Sequence, residues 1–244
     1  MTTTPRATRQ TTPPTQGRGD VPGRFPGFRV LDQADTWDDA TTSVVFARIG
    51  RPADIRFFDL HEQATVTALF DEVLDQQGED RVPVAAMVDA RLAESQGDGW
   101  HYDSMPSDGE AWHGTLAALD EDAQAAYGRS FADCDRDGRH ALMNAVRNGD
   151  GDWHGYHRAQ VWSLWTRYAC TAFYSHPDAW DEIGFDGPAY PRGYKNLGVG
   201  KREPFEVADA HPEAVPSTRP AAEGPERPGA PVAPGPGPGP EAGS

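Results

Sequence analysis

Between Trp180 and Glu206 the chain reads WDEIGFDGPAYPRGYKNLGVGKREPFE, and this run limits the possible folds more than any other. Trp180, Phe185, Tyr190, Tyr194 and Phe205 stand among prolines and glycines that exclude a regular helix or a central strand. Each ring left in water forgoes about 1.5–3 kcal/mol of burial, so a segment this aromatic has to cover something. It covers the chain's own core or a partner, and composition does not choose between them.

An aromatic helix comes directly before it. His157–Ser175, HRAQVWSLWTRYACTAFYS, sets Val161, Trp162, Trp165, Tyr168, Ala169, Ala172 and Phe173 on one wide apolar face. Pro177 disfavours helical geometry at His176 and ends the run. Near residue 59 another helix starts, with Asp59 as N-cap and Glu62 at N3 forming a capping-box pair. Val66, Leu69, Phe70, Val73 and Leu74 follow on a single face. After Gln77-Gly78 a second helix opens near Pro83, which suits a first turn, and carries Val84, Met87, Val88, Arg91 and Leu92.

A third helix is expected from Asp120, read as an N-cap, through Tyr127 and Phe131. Gly138 separates it from a shorter one bearing Leu142, Met143 and Val146. Ser95–Gly114 reads as a loop that Trp100, Tyr102 and Trp112 could pin down, and Arg147–Gly155 as another loop. Phe25–Gly50 is expected to be mostly irregular, its run Ser43–Ala47 forming a strand or an extended arm.

These elements predict a mainly α protein: a single helical domain, residues 25–208, with extended N- and C-terminal arms. Residues 1–24 are rich in Thr, Pro, Gly and Arg, and residues 209–244 in Pro, Gly and Ala; both are expected to be disordered tails. Of the 244 residues, roughly 180 are then left for one domain.

The formal net charge is −16. A nucleic-acid binder needs a basic stripe, and none is visible. The same balance argues against an anionic membrane surface, and no window is long and apolar enough for membrane insertion. The arginines near the N-terminus are not followed by an apolar stretch, so the expectation is a cytoplasmic protein without a secretory signal.

Candidate chemistry is sparse. Asp133-Cys134-Asp135-Arg136-Asp137-Gly138 has the opening of a calcium loop, but Asn144 stands where a bidentate Glu is needed and His140 where an aliphatic residue is usual. A helix C-terminus with solvated acids is the simpler reading. His154 and His157, preceded by Asp150 and Asp152, have a spacing that places two imidazoles on a metal if the segment is helical. Gly155 makes it a loop, and no third ligand is evident. Cys134 and Cys170 form no CxxC pair and read as buried, inert thiols. There is no GxGxxG fingerprint, no phosphate loop and no haem-attachment site, and Leu197–Lys201 is glycine-rich without a flanking strand or helix. A stand-alone metal-binding protein or hydrolase using His154, His157 and nearby acids is the alternative to a non-catalytic subunit.

Several landmarks occur in a particular order. They are the capped helix Phe58–Leu74 opening with Leu60-His61-Glu62, Asp89 in the second helix, and Gly128-Arg129-Ser130-Phe131. Thr171–Pro177 comes next, then Trp180, Ile183–Pro188, Tyr190–Tyr194 and Glu203-Pro204-Phe205. Over residues 57–206 this pattern resembles the small subunit (subunit 3) of gluconate 2-dehydrogenase-type flavoprotein complexes. The resemblance implies an accessory subunit without flavin or catalytic residues of its own. Its partner would be a large FAD-containing subunit of the glucose–methanol–choline oxidoreductase type, which oxidises a sugar or polyol and often passes electrons to a cytochrome. Many relatives begin with a twin-arginine export signal; none is read here, so the complex stays in the cytoplasm or the large subunit carries the signal. The expected partner contacts are Trp162, Trp165, Trp180, Phe185, Tyr190, Arg192, Tyr194 and Phe205, residues of the types that interfaces favour.

Overall fold

The computed structural model describes residues 24–50, 54–76, 82–196 and 198–212. Of the tails expected at 1–24 and 209–244, residues 1–23 and 213–244 lie outside these residues, as do the Gln77-Gly78 break and Leu197; Arg24 and Asp209, within them, pair with each other. The fold is mainly helical, as the periodicity predicts. A 3-10 turn, Val30–Thr36, leads into α1 (Asp39–Ile49), α2 (Leu60–Val73), α3 (Val84–Ala93) and α4 (Asp108–Tyr127). A short 3-10 turn at Phe131–Asp133 precedes α5 (Arg136–Asn148). The hairpin β1 (Asp152–Trp153) and β2 (Tyr156–His157) follows, then α6 (Arg158–Tyr174) and α7 (Pro177–Ile183).

The main core lies among α2 to α6, with α2 and α6 at its centre. The capping box at α2 is present: Asp59 accepts the amides of His61 and Glu62, and Glu62 accepts the Asp59 amide at 3.0 Å. Trp112 of α4 is fully buried and meets Phe58, Phe70 and Tyr168 edge-on at centroid distances of 5.5–6.1 Å. Between α3 and the entry to α2, Asp89 is wholly buried and accepts the backbone amides of Arg56, Phe57 and Phe58 at 2.8–2.9 Å. A buried carboxylate is tolerated because hydrogen bonds replace its lost hydration.

Four expectations are corrected. Ser43–Ala47 is helical, not a strand or arm: Asp38 caps α1 by accepting the Thr41 amide, and only Val45 of the helix is fully buried. The helix assigned to Asp120 starts at Asp108, where Ser107 and Glu110 form a second capping box. Asp120 lies inside α4 and caps another element, accepting the Phe131 amide at 2.7 Å and the Thr65 hydroxyl at 2.7 Å. Gly128, at φ 68°, ends α4 before Phe131, because only a residue free of a Cβ adopts this left-handed geometry cheaply. The Arg147–Gly155 loop contains a hairpin whose turn residues His154 and Gly155 both have positive φ, 49° and 82°. That is the geometry that matches strand twist in a two-residue turn.

The fourth correction concerns the opening feature. Trp180 sits in a helix, α7, entered through Pro177 at its first turn and ended by Gly184 in the left-handed region. Beyond Gly184 the described residues, through 212, are irregular, as their prolines and glycines require.

A second, smaller core lies apart from the first. Val30, Trp37, Val45 and Trp180 are buried together, with Phe28, Leu31 and Ala34 packed against them. It joins the N-terminal segment, α1 and α7.

Candidate functional site

The expected contact residues fall into two places. Trp162 and Trp165 belong to the helical core. Trp165 is fully buried, donates its indole N–H to Thr115 Oγ1 at 3.1 Å and meets Trp153 edge-on at 5.8 Å. It therefore has no surface to give a partner. Trp162 is half-buried beneath the Arg147 guanidinium, 5.5 Å from the ring centre.

The remaining six lie on α7 and the C-terminal arm. Trp180 is also buried: its indole donates to the Tyr174 carbonyl at 2.7 Å, and Arg48 lies 5.8 Å from its ring. Trp180 is thus an anchor, and Phe185 stands edge-on to it at 5.3 Å with its other side exposed. The Arg192 guanidinium lies 3.7 Å from the centre of the Phe205 ring, and Tyr194 meets that same ring at 5.9 Å. Tyr190 is 66% exposed and Tyr194 48% exposed. With Ile183 and Phe185 they give the arm an apolar outer surface, of the kind that marks an interaction site when it is contiguous.

The arm is held in shape by groups that the sequence does not advertise. Glu203, buried, accepts the backbone amides of Lys195 and Asn196 and the Asn196 side-chain amide. Asp186, also buried, accepts the Val207 amide at 3.1 Å. Burial pushes the Asp186 carboxyl above the ordinary carboxylate range and brings the Arg192 guanidinium below its usual value. Arg192 also donates to the Asp186 carbonyl at 2.6 Å and reaches out of the arm to Gln33 Oε1 and Thr36 Oγ1, at 3.0 and 3.1 Å. Beside it is a concavity of about 670 Å³ lined by Gln33, Arg192, Lys195, Asn196, Glu203 and Phe205. No periodicity reports the contacts of Arg192 with Gln33 and Thr36, which join residues more than 150 positions apart.

The metal candidates do not converge. Asp135 is the N-cap of α5, accepting the Gly138 amide at 2.9 Å, so the Asp133–Gly138 stretch is a helix start and not the helix end expected. Asp133 is engaged with Ser130. His154 pairs with Asp122 at 2.9 Å and Glu121 at 3.4 Å, while His157 is on the far strand, paired in register with Asp152. Among the described residues no group of three or more His, Cys, Asp or Glu side chains could hold a metal. Burial raises both thiols, Cys134 and Cys170, away from the reactive thiolate.

A further aromatic surface lies on the loop before α4. Trp100 and Tyr102 are exposed and meet edge-on at 5.4 Å, with Arg167 of α6 stacked 4.5 Å from the Trp100 ring. Arg167 is bonded in turn to Asp98, which also accepts Arg91 at 2.9 Å.

The helical core with its aromatic C-terminal arm defines a small, mainly helical protein. The family model described as gluconate 2-dehydrogenase subunit 3 matches residues 60–187, and the chain belongs to that family. No curated protein and no solved structure matches it. The matched stretch covers α2 through α7 and ends at Gly187. The N-terminal segment and most of the arm lie outside it. Among the described residues, no helix is long and apolar enough to cross a membrane.

Proposed function

We propose that this chain is a non-catalytic accessory subunit that binds and stabilises an FAD-dependent sugar or polyol oxidoreductase of the glucose–methanol–choline type. Family membership supports assignment to a gluconate dehydrogenase-type complex. The observation that carries the contact site is the arm's outer surface, where Phe185, Tyr190 and Tyr194 remain exposed on a scaffold anchored by Trp180. Tyr and Trp bury large area at low entropic cost, and an ordered scaffold lowers the cost of binding further. Flavin and substrate belong to the large subunit in this reading, a cytochrome takes the electrons, and the complex works in the cytoplasm unless the large subunit carries an export signal.

The test is to produce the flavoprotein with and without this chain and to measure co-purification, bound flavin and turnover. The accessory role predicts a drop in flavin loading without the chain. A flavoprotein that is soluble, flavin-loaded and fully active alone ends the proposal.

A further inference from the structure

The two segments outside the family-matched stretch are bound to each other. The N-terminal segment is also tied to α7, inside that stretch: the Val30 amide donates to Asp181 Oδ1 at 2.7 Å, and Arg29 pairs with Asp181 at 3.0 Å. Gln33 reaches the Phe205 carbonyl at 3.4 Å while accepting from Arg192. Arg24 is paired with Asp209, and the Ala210 amide donates to the Arg24 carbonyl at 3.0 Å. Close approach of backbone to ring completes the fit: a Cβ on Gly187 would lie 2.6 Å from the Trp37 ring and 3.0 Å from Val30, and one on Gly184 would lie against Phe25.

We infer that residues 24–49, 177–196 and 198–210, α1 and α7 included, form one clasp, which opens as a unit separately from the core of α2–α6 and sets the shape of the arm's aromatic surface. Three observations carry this. The clasp has its own small core, distinct from that of α2–α6. It meets the main core through Ala179 of α7 and through two hydrogen bonds at the end of α6, Arg48 to the Ser175 carbonyl and Trp180 to the Tyr174 carbonyl. Two donors in its interior, Trp37 Nε1 and Arg192 Nε, have no partner among the described residues, and unpaired buried donors lower the stability of the unit that contains them. A unit with few apolar contacts and its own hydrogen-bond set opens before the main core does. Trp37 and Arg192 are accordingly positioning residues: neither ring nor guanidinium is needed on the outer surface, yet both fix where Tyr190, Tyr194 and Phe205 stand.

Hydrogen exchange of the full chain tests the clasp without any partner. The amides of Val30, Val207 and Ala210 should exchange with one common opening constant, faster than those in the middle of α2 and α4. Trp37→Ala should accelerate Val207 and Ala210, and Arg192→Ala should accelerate Val30, each by about tenfold or more, with α4 unchanged. Trp37→Phe should keep most of the protection. The inference is overturned if either substitution loosens only its own segment, or if both loosen α2 through α6 equally. A second measurement rests on the accessory reading: Trp37→Ala should reduce capture of the flavoprotein, and Trp37→Phe should not. If the unaltered chain captures no flavoprotein, the accessory reading fails, and the exchange data still decide the clasp.

Discussion

The Asp89 carboxylate receives the Phe58 amide at 2.9 Å in the interior of the helical core. The same oxygen takes the Phe57 amide, and its twin takes that of Arg56. One side chain from α3 therefore fixes the chain's entry into α2. Removing it strands three donors. Asp89→Ala should cost about 3 kcal/mol or more, and Asp89→Asn about 1–3 kcal/mol, because the new NH2 group faces a donor. Urea unfolding followed by circular dichroism checks both values.

Trp165 and Tyr190 were expected in the same role, and the structure separates them. Trp165→Ala should destabilise the chain by about 3–5 kcal/mol, so any loss of binding in that variant follows from loss of the fold. Tyr190→Ala should leave stability within about 0.5 kcal/mol and lower flavoprotein capture if the arm is the contact. Melting temperature and pull-down, measured side by side, give the answer. Equal capture by Tyr190→Ala and the unaltered chain would remove this residue from the interface.

Gly187 combines positive φ, 78°, with a Trp37 ring in the space a Cβ would fill. Gly187→Ala is therefore strained twice and should cost about 1–3 kcal/mol, confined to the clasp. The expected signature is increased tryptophan exposure to quencher at temperatures where the helical signal is unchanged.

Asp186 makes the clasp sensitive to pH. Burial raises its folded-state pKa above the unfolded value, so the protonated form is favoured in the fold. The resulting stability is present in full below the unfolded pKa and is lost as pH rises through the folded pKa. Asp186→Asn keeps an oxygen for the Val207 amide and carries no charge. It should be more stable than the unaltered chain at pH 7, with the difference disappearing near about pH 4. Thermal melts across that range test the sign; a variant less stable at pH 7 contradicts it.

Local signals in the sequence carried the helices that have clear starts. Asp59 with Glu62, Pro83, and the apolar face of His157–Ser175 all correspond to observed elements, because capping and burial act within one turn or one face. The misses have physical causes. Ser43–Ala47 is β-branched, yet a single Asp38 cap and the burial of Val45 against Trp180 outweigh that preference. Ser107 and Glu110 offered a capping signal that the surrounding turn residues obscured. Asp120 has the chemistry of a cap and serves as one, but across space for Phe131. Pro177 and Gly184 bracket α7 in the order expected of a short helix, a signal hidden inside an otherwise irregular run. The clasp was not legible at all, since Arg192, Gln33 and Thr36 meet only after the chain has folded.

The pairing of Arg24 with Asp209 and Ala210 brings residues near the two limits of the described fold side by side. Segments that meet this way suit circular permutation of the part between them. A short linker joining residues 24 and 210 would close the loop, and new ends could be cut in the exposed turn after His101. Such a permutant would lock the clasp covalently, turning a reversible contact into a permanent one and allowing its contribution to assembly to be read from a single engineered chain.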